Sequence, residues 1–200
     1  MRLLLATRNS GKLRELRALL ADLPLECLSL ADVGIATDIP ETGASLIENA
    51  ILKARGYADL SGLTTLADDS GLEVDALGGE PGVHSSRWAG PGATDADRIR
   101  KLLERLRGVP PQGRRARFRA VAAIATPDGR LYTTEGTLEG FIADRPKGSG
   151  GFGYDPVFLV PDLGKTVAEL DPETKNRISH RARAIQAARP ILEQLAAEEM

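Results

Sequence analysis

Two adjacent carboxylates, Asp68 and Asp69, are the residues of this chain best suited to chemistry. The run Leu63–Ala67 ends abruptly in them, Ser70 and Gly71 follow, and alternation then resumes. Period-two alternation is typical of a β-strand, so the acids are expected at a strand end or at a sharp break. Adjacent like charges are costly to bury without a cation. Because oxygen ligands suit hard cations, the pair indicates Mg²⁺, with Mn²⁺ as a substitute.

Strand alternation assigns different directions to the two acids. Successive side chains point to opposite faces, so both carboxylates cannot address one site in the same way. We favour Asp69 as the residue that faces the site, since it adjoins the break. Asp68 could accept hydrogen bonds from groups behind the site or from loop backbone N–H groups. Glu41, in a loop before a helix, could give the metal a second carboxylate. In the alternative interpretation, both aspartates only form a turn.

A second candidate segment lies where the first strand gives way to a helix. Free backbone N–H groups and the positive end of the helix dipole favour a phosphate there. Lys12 adds a cation in the first turn, which is unfavourable unless an anion is present. The upstream glycine of a P-loop is absent, so a capped helix with a surface lysine is an equal alternative. The segment consists of Thr7, Arg8, Asn9, Ser10, Gly11 and Lys12.

A glycine-rich loop late in the chain carries two aromatic residues and an acid, and its candidate residues are Phe152, Gly153, Tyr154 and Asp155. Glycine permits close approach of the backbone to a ligand, and an aromatic ring can stack on a flat base. The adjacent carboxylate could accept hydrogen bonds from N–H groups of a base edge. The alternative is a loop that its aromatic side chains pin to the core.

Three cations, Lys175, His180 and Arg181, are predicted to open the last helix, which runs from about Ile178. Cations at a helix start oppose the dipole, so a bound phosphate or carbonyl group would explain them. The alternative is exposed surface charge that nearby acids balance.

Alternating strands and helices must position these residues. The apolar patterns predict an α/β fold around a mixed sheet, in a single domain over residues 1–200. On the helix predicted over 44–60, one face is expected to be apolar and the other solvated. The predicted strands are Arg2–Ala6, Leu25–Leu30 and a hairpin over 117–126 and 130–142; the apolar helix face is Ile47, Ile51, Ala54 and Ala58; the solvated face is Glu48, Asn49 and Lys53.

Composition narrows the class of protein. The formal net charge of −2 over 200 residues argues against a duplex nucleic acid partner. The single cysteine, Cys27, excludes an internal disulfide framework and indicates a reducing compartment. No apolar run approaches the ~20 residues of a membrane span. The start, Met1–Ala6, is too short for a signal peptide, so we expect a cytoplasmic protein without membrane contact.

Six segments occur in a fixed order along nearly the whole chain: Ala6–Lys12, Glu41–Ala54, Ala67–Leu77, Pro81–Gly90, Gly151–Pro156 and Lys175–Arg181. Together they resemble the inosine triphosphate pyrophosphatase family, which hydrolyses non-standard purine nucleoside triphosphates. The resemblance implies a homodimer with an elongated mixed sheet, helices on its faces, and two lobes with a cleft between them. Two departures are Arg8, where many members carry glycine, and Trp88, at a position that is often Tyr or Phe.

The resemblance also implies residue roles. Asp69 would be the general base and a magnesium ligand, with Glu41 as a further ligand. Thr7–Lys12 would hold the triphosphate, and Ser70 would contact the substrate. The remaining implied substrate contacts are Phe152, Gly153, Tyr154 and Asp155 around the base, Lys175 at phosphate or base, and His180 and Arg181 at the 6-oxo group.

The expected activity is Mg²⁺-dependent hydrolysis of ITP, dITP and XTP to the monophosphate and pyrophosphate. The residues fit this chemistry, because a carboxylate can deprotonate water while lysines and a cation neutralise the leaving group. Alternatives are a related pyrophosphatase for modified pyrimidine or canonical nucleotides, a nucleotide-sensing module, and a structural protein whose acids and glycines only shape turns.

Overall fold

The strands of this protein form one mixed sheet in the computed structural model, which describes residues 1–199. The sheet order is β2-β1-β3-β4-β5-β6-β7. The first strand pairs in parallel with β2 and β3, whereas β6 pairs antiparallel with β5 and β7. This confirms the predicted α/β class and mixed sheet. The strands are β1 Arg2–Leu5, β2 Glu26–Ser29, β3 Thr64–Val74, β4 Arg115–Ala125, β5 Leu131–Ile142, β6 Phe158–Val160 and β7 Lys165–Thr166.

Within the described residues 1–199, five α-helices accompany the strands, and their caps follow local sequence rules. Asn9, Ser45 and Thr94 accept backbone N–H groups at the starts of the first three helices, and Thr94 forms a capping box with Asp97. The helices are α1 Ser10–Leu19, α2 Leu46–Ser61, α3 Asp95–Arg105, α4 Pro172–Ile178 and α5 His180–Glu198. Among residues 1–199, none of them combines the length and the apolar character needed to cross a bilayer.

The chain divides into two compact units, each with its own apolar core. Unit 1 comprises Met1–Asp69, Ala120–Gly136 and the chain from His180 onward, and its core includes Leu3, Leu16 and Leu192. Unit 2 comprises Ser70–Arg119 and Thr137–Ser179. Its core includes Leu72, Leu102 and Phe158. The single domain over residues 1–200 stays a prediction.

The expected break after the two aspartates is wrong, because β3 runs without interruption from Thr64 to Val74. Gly71 serves close packing instead: a Cβ there would lie 2.3 Å from the Gly82 carbonyl oxygen. The N–H of the next residue, Leu72, donates to Ser85 Oγ at 2.8 Å. A glycine in a strand interior therefore lets a neighbouring backbone segment approach, and the strand continues through it.

The solvated face predicted for α2 is wrong at two of its three residues, since only Glu48 is exposed. Asn49 is fully buried and Lys53 is 9% exposed, whereas Ile47, assigned to the apolar face, is 37% exposed. Periodicity alone places apolar residues inward, but Asn49 Oδ1 accepts the Gly43 N–H and Lys53 Nζ donates to the Asp68 carbonyl oxygen. These hydrogen bonds offset part of the cost of removing the two side chains from water. The buried face of this helix thus carries an amide and an ammonium group.

The last helix begins later than predicted. Ser179, with extended backbone, separates α4 from α5, so Lys175 lies in the last turn of α4 and only His180 and Arg181 begin α5. The side chains of Lys175, His180 and Arg181 are all buried, with exposures of 7%, 6% and 2% respectively. The alternative of exposed surface charge is therefore wrong. Pro190 lies inside α5, which continues to Glu198.

Candidate active site

Asp68 and Asp69 lie side by side in β3, and both are buried, with exposures of 2% and 7%. Asp68 Oδ2 accepts a hydrogen bond from Arg181 Nε at 3.0 Å, and its Oδ1 lies 3.3 Å from Lys12 Nζ. Asp69 Oδ1 instead accepts from Lys53 Nζ at 3.2 Å. The two carboxylates thus have different cationic partners, as their alternation along a strand requires.

Lys53 connects the predicted metal ligands. From α2, its Nζ donates to the Asp68 carbonyl oxygen at 2.8 Å and to Asp69 Oδ1 at 3.2 Å. It also lies 2.8 Å from Glu41 Oε1. The carboxylates of Glu41 and Asp69 therefore converge on one point, where a cation already neutralises them.

The environments separate the pKa values of the neighbouring acids. Burial raises the pKa of Asp69 above its ordinary value, and Lys53 and Lys12 only partly counter this effect. Burial also acts on Asp68, but Arg181, Lys12 and Lys53 outweigh it and hold the pKa of that carboxyl far below its ordinary value. One carboxylate is thus fixed as a charge, while the other is a better proton acceptor.

The pKa values of Lys12 and Lys53 are shifted in opposite directions. Burial lowers the pKa of Lys12, and the single close carboxylate of Asp68 does not restore it. Burial acts on Lys53 in the same direction, but the carboxylates of Asp69, Asp68 and Glu41 outweigh it and raise its pKa. These carboxylates therefore favour the charged form of Lys53.

The carboxylate oxygens of Glu41 and Asp69 are of the ligand type that Mg²⁺ prefers. Asp69 Oδ2 is buried and has no hydrogen-bond partner among residues 1–199, which leaves an oxygen for a further ligand. No group of three or more His, Cys, Asp or Glu side chains within residues 1–199 is arranged to hold a metal by itself. Two carboxylates suffice for Mg²⁺, which usually keeps several waters and is completed by substrate phosphates.

The segment Thr7–Lys12 folds as a capped helix start. Thr7 Oγ1 accepts the Asn9 N–H at 3.2 Å, and Asn9 Oδ1 accepts the Lys12 N–H at 3.0 Å. Ser10 is exposed and Gly11 buried, both in the first turn of α1. The cap leaves the Lys12 ammonium close to Asp68, so this cation adjoins the buried carboxylates rather than solvent.

Arg8 binds a loop of the protein itself, which the sequence did not indicate. Its guanidinium lies 2.5 Å from Asp38 Oδ1 and donates to the carbonyl oxygens of Ile35 and Thr37 at 3.2 and 3.0 Å. Arg8 thus ties the 35–38 loop to the start of α1. A contact between Arg8 and phosphate stays a prediction.

Arg181 is the centre of a buried ion-pair network in unit 1. Its Nε donates to Asp68 and its Nη1 to Glu15 Oε2 at 2.5 Å, so it joins β3, α1 and α5. The preceding residue, His180, is buried at the same helix start. Contacts of His180 and Arg181 with a 6-oxo group stay predictions, and in this structure the guanidinium holds two carboxylates.

Unit 2 contains a separate cluster of predicted site residues. Asp155 Oδ2 accepts from Lys175 Nζ at 2.6 Å and from the Phe152 N–H at 3.0 Å. The same ammonium lies 4.8 Å from the centroid of the Phe152 ring. Gly151, with φ +70°, must be glycine, because a Cβ would lie 2.0 Å from Asp155 Oδ2. The structure therefore brings together Phe152, Asp155 and Lys175, and their contact with a base stays a prediction.

Two residues that the sequence did not single out hold this loop. Asp95 Oδ2 accepts the Gly153 N–H at 2.8 Å, and the Ser85 carbonyl oxygen accepts the Tyr154 hydroxyl at 2.8 Å. Tyr154 is buried, and burial raises the pKa of its phenol strongly. The loop is thus partly pinned to the core, as in the alternative interpretation, whereas the Phe152 ring is only half buried. Ser70, half buried in β3, lies next to Asp69 in the chain.

Sequence reasoning also missed Lys53 and Glu15 as members of the buried charge network in unit 1. The spacing of Asn49 and Lys53, four residues apart on one helix face, was the only local signal for Lys53. Glu15 offered none, because its partner Arg181 is 166 residues away.

We expect Arg181→Met to destabilise the protein by about 3–5 kcal/mol, because it leaves the buried carboxylates of Asp68 and Glu15 without their cation. Arg189→Met on the same helix is the matched control, since its partner Asp22 has a side chain that is 71% exposed. Its expected cost is below about 1 kcal/mol. Urea unfolding at neutral pH measures both, and equal costs for the two variants would contradict the stabilising role of the buried network.

Comparison with known proteins places the chain in a family. The sequence model of the Ham1 family matches residues 3–191. The dITP/XTP pyrophosphatase of Desulforamulus reducens is 50% identical over 98% of this chain and 97% of that protein. The dITP/XTP pyrophosphatase of Geobacillus kaustophilus is 52% identical over 92% of this chain and 90% of that protein.

Solved structures support the same family assignment. A HAM1 protein from Coxiella burnetii superposes with a TM-score of 0.88 at 45% identity, covering 97% of this chain and 99% of the other. The Staphylococcus aureus Ham1 protein gives a TM-score of 0.84 at 40% identity, with full coverage of both chains. On the family match and these relatives, the chain belongs to the Ham1 family.

Proposed function

We propose that this protein hydrolyses non-canonical purine nucleoside triphosphates, namely dITP, XTP and ITP, to the monophosphate and pyrophosphate. The observation that carries the proposal is the buried pair of carboxylates with opposite pKa shifts beside two lysines. The name dITP/XTP pyrophosphatase, given to relatives about half identical over most of the chain, supports the substrate class. Such an enzyme removes these nucleotides from the pool used for DNA and RNA synthesis.

Asp69 acts as the general base. Its carboxylate is buried, its pKa is raised, and its Oδ2 has no hydrogen-bond partner among residues 1–199, so it can take a proton from an attacking water. Asp68 stays ionised and keeps Lys12 and Arg181 in place. The division of labour between two adjacent acids follows from their partners, as it does in other enzymes with paired carboxylates.

Lys12 and Lys53 supply positive charge for the phosphates. Lys12 stands in the first turn of α1, where the backbone N–H groups and the helix dipole also favour an anion. Mg²⁺, or Mn²⁺ in its place, is the cofactor we propose at Glu41 and Asp69, and when bound it neutralises charge on the phosphates and the leaving pyrophosphate. The convergence of the Glu41 and Asp69 carboxylates on the Lys53 ammonium supports this assignment, because it shows a place where these two acids hold positive charge.

The base is bound by the cluster of Phe152, Asp155 and Lys175. The half-buried ring offers a stacking surface, and the ion pair with the Lys175 ammonium orients the Asp155 carboxylate. His180 and Arg181 are the donors we propose for the 6-oxo group. A site that donates to an oxo group rejects an amino group there by ~10⁴-fold or more, because the donors are left unpaired.

We further propose a cytoplasmic homodimer without a nucleic acid partner. The net charge of −2 supports the absence of nucleic acid, and the location matches that of the nucleotide pool. The dimer rests on the family resemblance, and a sedimentation coefficient of a monomer at low micromolar concentration would contradict it.

Turnover of ITP, XTP, ATP and GTP with Mg²⁺ tests the activity, with pyrophosphate and orthophosphate assayed separately. We expect pyrophosphate from ITP and XTP, with ATP and GTP nearly inert. The 6-amino group of ATP would leave the proposed 6-oxo donors unpaired, and GTP, which shares the 6-oxo group, differs from ITP only by its 2-amino group. Orthophosphate as the product, or turnover of modified pyrimidine triphosphates alone, would contradict the proposal.

We expect Asp69→Asn to fold normally and to lose kcat by about 10²–10⁴-fold, since the isosteric amide cannot accept the proton from water. Asp59→Asn, at an exposed position on α2, is the matched control and should keep full activity. Steady-state kinetics with ITP measure the difference. Retained turnover in Asp69→Asn would remove Asp69 from the proton transfer.

Phe152→Ala should raise the KM for ITP about tenfold with a smaller change in kcat, because base stacking contributes about 1–3 kcal/mol per base. Phe152→Tyr keeps a ring at the same position and should stay close to the parent. If Phe152→Ala leaves KM unchanged, the ring does not bind the base.

A further inference from the structure

The segment that carries Glu41 has no regular secondary structure, yet its carboxylate must be held at a fixed place. Helix α2 provides three contacts to this segment and its continuation. Glu48 Oε2 accepts the Ala44 N–H at 2.7 Å, Asn49 Oδ1 accepts the Gly43 N–H at 2.8 Å, and Lys53 Nζ lies 2.8 Å from Glu41 Oε1. Of Glu48 and Asn49, the two side chains that accept N–H groups of this segment, only Asn49 is fully buried.

The contact at Gly43 depends on a tight fit. A Cβ on Gly43 would lie 2.7 Å from Asn49 Oδ1 and 2.6 Å from Glu48 Cβ, so only glycine lets the loop backbone reach the buried amide. The φ of Gly43 is not in the left-handed region, so steric room is the reason for glycine here. The loop backbone is therefore seated directly on the helix two residues after Glu41.

The hydrogen bonding of Asn49 indicates that packing alone does not explain why an asparagine is buried at this position. Its Nδ2 is buried and has no hydrogen-bond partner within residues 1–199. Burying an unpaired donor costs free energy, and a leucine of similar shape would avoid that cost. Among the described residues, the contact of Asn49 that requires a polar side chain is the bond from the Gly43 N–H to Oδ1.

We propose that Asn49 is a positioning residue, which fixes the 41–43 segment so that the Glu41 carboxylate is preorganised beside Asp69 for the divalent cation. The inference rests on the proposed function, since it assigns Asn49 to the same metal site. Asn49 touches neither the metal nor the substrate in this assignment, and it acts only through the loop. Residues that orient a metal ligand typically change metal affinity by 10–100-fold when they are removed.

The test uses the full-length protein without nucleotide and two variants of Asn49. Asn49→Leu removes the acceptor at nearly constant volume, whereas Asn49→Asp keeps the acceptor and removes the donors. Two readouts are measured: hydrogen exchange at the Gly43 amide in metal-free protein, and binding of Mn²⁺ alone by calorimetry. Gln194→Ala, which removes an exposed amide on α5, is the control.

For Asn49→Leu, we expect exchange at Gly43 to accelerate by about tenfold and Mn²⁺ affinity to fall by about tenfold. Asn49→Asp should retain slow exchange at Gly43. If Asn49→Leu exchanges at the parent rate, or loosens Gly43 without weakening Mn²⁺ binding, the proposal is overturned. Loss of protection throughout α2 would also overturn it, because Asn49 would then serve the helix rather than the loop.

Glu41→Gln separates this inference from the proposed function. If Glu41→Gln binds Mn²⁺ like the parent, the metal assignment of the proposed function fails, and with it the role of Asn49 in preorganising a metal ligand. If Glu41→Gln weakens Mn²⁺ binding but Asn49→Leu does not, only the inference about Asn49 fails.

Discussion

The burial of several charges at one place is the constraint on which unit 1 of this protein depends. Asp68, Asp69, Lys53 and Arg181 are each less than a tenth exposed, and none could be buried alone without a large cost in free energy. Each must therefore be brought to its partners by a different element: the aspartates by β3, Lys53 by α2, and Arg181 by α5. The ion pairs therefore join β3, α2 and α5 in addition to the contacts of the apolar core.

The same constraint produces the asymmetry on which the chemistry rests. Asp68 adjoins Arg181 and Lys12, whereas the direct cationic contact of Asp69 is with Lys53, whose charge is shared with Glu41 and the Asp68 carbonyl oxygen. One carboxylate is held as an anion and the other is left able to accept a proton. In unit 2, Lys175 and Asp155 form a smaller buried pair of the same kind beside the Phe152 ring.

The sequence predicted the α/β class and the mixed sheet, because these follow from local patterns of apolar residues. It also indicated the Phe152–Asp155 loop, whose contact with a base stays a prediction. It failed where long-range pairing overrides periodicity. Asn49 and Lys53 appear solvated in a helical pattern, and only the partners on the 41–43 loop and β3 make their burial favourable. Gly71 looks like a strand break, since its contact with Gly82 cannot be read from its neighbours. The Arg181–Glu15 pair joins distant residues and has no local signature.

The most direct test of this account is a titration of the two carboxylates in metal-free protein, by ¹³C NMR of labelled aspartate side chains. Spectra of Asp69→Asn and Asp59→Asn assign the resonance of Asp69 and check that an exposed substitution leaves the others in place. The account predicts that Asp69 titrates above the ordinary aspartate pKa of 3.8, while Asp68 stays ionised well below it. The reverse order, or equal pKa values for the two, would contradict the assignment of Asp69 as the base.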